Sequence, residues 1–100
     1  MDLSTRDAFL IAYDISDPKR LVKTRKVLLG FGDPVQLSVF YCELTPREVV
    51  ELKNKIADVI NAKEDRVLFA NLGPAGGRGA EAITTIGRAH ETTIHQAIVV

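Results

Sequence analysis

The feature that most restricts this chain lies near its beginning. Residues 8–15 (AFLIAYDI) are apolar almost without a break and then stop at Ser16-Asp17-Pro18. A strand that exposes one face to water alternates apolar and polar residues. A run without alternation is buried on both faces and belongs at the centre of a sheet. Directly after it comes a helix start, because Asp17 is a side-chain N-cap and Pro18 suits the first helical position. The helix is expected from Pro18 to about Leu29, where Gly30-Phe31-Gly32 ends it.

The next segment, Val35 to Leu44 (VQLSVFYCEL), is rich in β-branched and aromatic residues and reads as a second strand. Thr45-Pro46-Arg47-Glu48 has the residues of a capping box, and Val49, Leu52, Ile56, Val59 and Ile60 then recur at helical spacing. Glu64-Asp65 ends that helix, and Arg66 to Leu72 is a third strand. Gly73 to Gly79 carries four glycines in seven positions and is expected to be a flexible loop. Ala82 to Ile86 and Ile94 to Val100 read as short terminal strands, the latter (IHQAIVV) strongly apolar. The order β-α-β-α-β plus terminal strands predicts a single α/β domain over residues 1–100, with its core at about 8–72.

Composition narrows the function classes. Thirteen basic residues balance thirteen acidic ones and the sequence pI is about 6.7, so any polyanion site must be a local patch. Cys42 is the only cysteine, which excludes an internal disulfide and a cysteine-built zinc site and suits a reducing compartment. Asp2, Arg6 and Asp7 break any signal-peptide layout, and no apolar run is long enough for a membrane span. A soluble cytoplasmic protein, with no membrane partner, is expected.

Asp14 is the first residue to single out. A carboxylate closing an apolar buried strand must be hydrated, paired with a group such as Arg25, hydrogen-bonded to backbone, or bound to a cation. Asp17 is sufficiently explained as the N-cap. In the first helix Lys19, Lys23 and Lys26 share one face with Arg20 beside it, and no acidic residue lies from Pro18 to Gly32. Such a face can neutralise several phosphates, or it can simply be solvated. Arg25 falls between the Leu21/Leu28 and Val22/Leu29 sides, so its stem should lie along apolar surface and its guanidinium reach a carboxylate or phosphate. Gly73 to Gly79 lacks the context of a phosphate-binding loop, and His90 and His95 lack a metal-ligand spacing.

Taken together, Tyr13-Asp14-Ile15-Ser16-Asp17-Pro18-Lys19-Arg20-Leu21 and, further on, Val35-Gln36-Leu37-Ser38-Val39-Phe40 resemble the motifs of the CRISPR-associated Cas-two family. The resemblance covers roughly residues 8 to 72. It implies a ferredoxin-like α/β (α+β) fold, with a mainly antiparallel sheet, two helices on one face and an extra C-terminal strand. Such a fold needs two strands between the helices, so Val35–Leu44 is expected to bend or break near Ser38.

The resemblance also implies a homodimer that hydrolyses single-stranded RNA or duplex DNA. In it Asp14 from each chain holds Mg²⁺, with Arg25, Ser38 and Phe40 lining the cleft. The family's second role is a bridge between CRISPR integrase subunits during spacer acquisition, with Lys19, Arg20, Lys23 and Lys26 presented to duplex DNA. Two positions depart from the family's usual residues: Pro34 stands where an arginine is common, and Leu37 replaces an aromatic. The competing readings are a metal-dependent nuclease, a non-catalytic adaptor, and a different ferredoxin-like homodimer such as a toxin-type ribonuclease.

Overall fold

A computed structural model describes residues 5–88 and the backbone of Ile98 and Val99. The apolar run forms β1 (Asp7–Asp14), and the turn behind it opens α1 (Pro18–Leu29). Asp17 caps that helix as its residue type predicts, its carboxylate accepting the Arg20 N–H at 3.0 Å. The chain then makes two strands rather than one, β2 (Gly32–Gln36) and β3 (Val39–Leu44), with Leu37 and Ser38 in the turn. The break falls where the resemblance required it. Tyr13 secures it from β1: its N–H donates to the Ser38 carbonyl and its hydroxyl to the Leu37 carbonyl, both at 3.0 Å.

Helix α2 (Pro46–Ala57) begins with the full capping box. Thr45 Oγ1 accepts the Glu48 N–H, and Glu48 accepts the Thr45 N–H in return. The regular helix ends before Val59 and Ile60, although the Ile60 N–H still donates to the Ile56 carbonyl at 3.0 Å. Ile60 also packs against the core from the turn. Strand β4 (Arg66–Pro74) runs two residues past the expected end.

Two expectations are corrected beyond that point. The glycine-rich stretch is not a free loop: Gly73 belongs to β4, and Gly77 precedes a short helix, α3 (Arg78–Glu81). There Gly79 lies against the Leu72 backbone, where a side chain would collide. Of Ala82–Ile86 only Thr84–Thr85 is strand (β5), paired in parallel with β6 (Ile98–Val99). The rest of the apolar C-terminal stretch, with His90 and His95, lies outside the described residues.

The main sheet has the order β2-β3-β1-β4 with every pair antiparallel, the ferredoxin-like arrangement, and β1 is central. Its two faces are different environments, set by the alternation of side chains along β1. Phe9, Ile11 and Tyr13 join Leu28 of α1, Leu52 and Ile56 of α2, and Phe40 and Leu44 of β3 in the principal core. Leu52 is fully buried, which contributes about 1.5–3 kcal/mol relative to exposure. Ala8 and Leu10 point the other way, into a smaller cluster with Val35, Tyr41, Leu72 and Ala80. Helix α3 packs on that second face, where Ala8, Val35 and Tyr41 are buried, while Leu68 at the Asp14 end stays exposed; no other described helix lies on it.

Candidate functional site around Asp14

Alternation from Ala8 and Leu10 puts Asp14 on the open face of the sheet, at its end. Its ladder partner is Arg66, and the neighbouring pair is Ala12 with Leu68 on β4 and Val39 on β3. Asp14 is exposed, and no hydrogen bond or ion pair from a described residue reaches its carboxylate. The structural roles open to it in the sequence, pairing with Arg25 or accepting turn N–H groups, are therefore not taken up within the described chain. The adjacent acid takes the structural part instead, Asp17 being the helix cap. What remains is an unengaged carboxylate whose position is fixed by the central strand.

The other candidates sit at the same end of the sheet but not on the same face. Phe40 is fully buried on the helix side, with its ring 6.1 Å from that of Tyr13. It cannot line a cleft, as the resemblance suggested; its ring instead carries the Arg25 guanidinium, 5.6 Å from the centroid. Arg25 is half-buried and has no carboxylate partner among the described residues, so a cation is held against an aromatic face with its donors uncommitted. Ser38 is half-buried in the β2–β3 turn, its carbonyl held by Tyr13.

On α1 the basic residues divide into two kinds. Lys19, Lys23 and Lys26 are exposed and carry no ion pair among the described residues. Arg20 is different: its Nε donates to Asp65 at 2.7 Å and its Nη2 to Glu64 at 3.0 Å. Its charge is offset within the fold by Asp65 and Glu64, unlike those of the three lysines. Asp65, which the sequence marked only as a helix breaker, is the residue missed. Its side chain has no exposed surface, and the Arg20 guanidinium together with the Asn61 and Ser16 N–H groups holds its carboxyl well below the usual carboxylate range. A lone acid in a loop gives no sequence signal of a partner 45 residues away.

Comparison with known proteins decides the family. The sequence model of "CRISPR associated protein Cas2" matches residues 8–76. The chain belongs to the Cas2 family. A CRISPR-associated endoribonuclease Cas2 of Rhodospirillum rubrum is 38% identical over 93 residues, covering 93% of this chain and 90% of that protein. Another, from Geobacter sulfurreducens, is 33% identical over 92 residues and covers 92% of this chain and 96% of the relative. Among solved structures, Streptococcus pyogenes Cas2 at pH 6.5 is similar with a TM-score of 0.62 and 37% identity, covering 66% of this chain and 86% of that one. A further Cas2 crystal structure, at 21% identity, shares the fold with a TM-score of 0.72 over 89% of this chain and 95% of its own.

Within this Cas2-family chain, no group of three or more His, Cys, Asp or Glu that could hold a metal occurs among the described residues. At the end of β1 the chain offers one free carboxylate, that of Asp14. That donor set suits Mg²⁺, which keeps most of its waters and takes one or two carboxylates, and does not suit zinc. No described helix is long and apolar enough to cross a membrane.

Proposed function

We propose that this chain is a Mg²⁺-dependent endonuclease subunit of CRISPR spacer acquisition, cytoplasmic, working as a homodimer with one Asp14 from each copy at a shared site. The observation that carries this reading is Asp14 itself: an exposed carboxylate, unpaired within the described chain, at the end of the central strand and on the sheet face opposite α1 and α2. The endoribonuclease names of its relatives point to the same chemistry. A second copy is the occupant that fits the open face. Leu10, Ala12, Val39 and the half-exposed Leu68 offer apolar contact beside Asp14, and pairing there supplies the second carboxylate that one chain lacks.

Bound at such a pair, Mg²⁺ would neutralise phosphate charge and make a coordinated water a better nucleophile. The chain's own residues do the rest. Asp14 supplies the anchoring charge, Tyr13 fixes the turn that carries Ser38 beside it, and Arg25, held over Phe40, is available to a phosphate. The exposed Lys19, Lys23 and Lys26 hold the nucleic acid through its backbone and without regard to sequence. That uncommitted basic face also favours the second role, a duplex-binding bridge between integrase subunits. Purified protein should cut single-stranded RNA or duplex DNA in Mg²⁺ and stop on addition of EDTA. Binding of duplex without cleavage of either substrate would leave the bridging role alone.

A further inference from the structure

Among the described residues the densest polar constellation is not at Asp14 but gathered on Asp65. Its carboxylate has no exposed surface and accepts from Arg20 Nε (2.7 Å), Arg20 Nη2 (3.2 Å), Ser16 N–H (3.1 Å), Ser16 Oγ (3.3 Å) and Asn61 N–H (2.8 Å). The position of these donors is informative. Ser16 lies two residues beyond Asp14, and Arg20 opens the helix that comes next. Arg66, next to Asp65, is the ladder partner of Asp14. The dipeptide Asp65-Arg66 therefore grips both ends of the Asp14–Ser16 segment, one through the ladder and the other through the buried carboxylate. Asp17 completes the closure by capping α1 through the Arg20 N–H.

A strand end that runs into a turn is ordinarily where a chain frays. A lone carboxylate there would lose affinity for a hard cation, because each binding event would first have to order the turn. We propose that Asp65 is a positioning residue for Asp14, acting through Ser16 and Arg20 to hold the end of β1 in one geometry for divalent-cation binding. The proposal rests on the reading of Asp14 as a metal ligand.

Mn²⁺ alone, followed by the loss of its free-ion electron paramagnetic resonance signal, tests it without recourse to cleavage. The parent should bind Mn²⁺ and Asp14→Asn should not. Asp65→Asn keeps the shape of the side chain but removes its charge, and should weaken Mn²⁺ binding about tenfold, measured well below its melting temperature. Arg20→Lys gives up the two-pronged contact and should shift affinity in the same direction by less. It serves as the deciding variant if Asp65→Asn does not fold. An Asp65→Asn or Arg20→Lys protein that melts earlier yet binds Mn²⁺ as the parent does would make the cluster a fold staple only and overturn the proposal. No binding by the parent, or equal binding by Asp14→Asn, removes the metal reading and the proposal with it.

Discussion

At Gly32 the space for a side chain is already taken. The residue pairs with Cys42 across β2 and β3, and an added Cβ would land on the Tyr41 carbonyl and the Cys42 sulfur. Gly32→Ala should cost about 1–3 kcal/mol in chemical denaturation, because the obstacle is partly backbone and cannot swing aside. Cys42 illustrates burial in another way. Removal from water pushes its thiol up to about 12, with Asp33 adding to the effect. In the native protein it should react with a thiol reagent at pH 8 far more slowly than in denaturant. Its character as a small core residue was legible from its place mid-strand. Its close packing on Gly32 was not, since nothing in the sequence announces which residues lie opposite.

Elements whose signals are local were read directly from the chain. Asp17, and then Thr45 and Glu48, determine where α1 and α2 begin through their own hydrogen bonds. Pro18 and Pro46 do so through a fixed φ at a position where an N–H would have no partner. Thr45→Ala should lower stability by about 1 kcal/mol, seen as a shift in the denaturant midpoint with an unchanged slope. Elements fixed by tertiary contact were not so legible. The end of β4 and the start of α3 depend on Gly79 meeting Leu72, while glycine composition alone suggests a loop. The Asp65 cluster is of the same kind, joining the α2–β4 loop to the β1–α1 turn. Because Arg20 and the N–H donors depress the Asp65 carboxyl in the folded state, its stabilising contribution is present above the unfolded value, near 3.9. That contribution is lost as pH falls below it. The stability gap between the parent and Asp65→Asn should therefore be largest near neutral pH and narrow as pH falls below about 4, measurable by denaturation at pH 7 and pH 3.

For the whole molecule the important asymmetry lies between the two faces of the sheet. One is closed by α1 and α2; the other carries α3 and, beside Asp14, Leu68, which is 53% exposed. Leu68→Glu should convert a dimer to a monomer in light scattering while leaving the helical signal intact. In the proposed dimer the exposed Leu68 brings the contact beside the site; the apolar stretch Ile94 to Val100 lies largely outside the described residues. Changing Lys19, Lys23 and Lys26 together to Gln should weaken duplex binding on every sequence alike and reduce the salt slope by roughly one for each phosphate no longer neutralised. Cleavage by a dimer built in this way requires Asp14 to be an essential charge in an otherwise unchanged fold. The direct measurement is cleavage of single-stranded RNA and duplex DNA across a Mg²⁺ titration, for the parent and for Asp14→Asn. The variant should keep the parent's melting temperature, dimer and duplex binding but lose cleavage at every Mg²⁺ concentration. A variant that cuts as fast as the parent, with the same metal response, would contradict that role for Asp14.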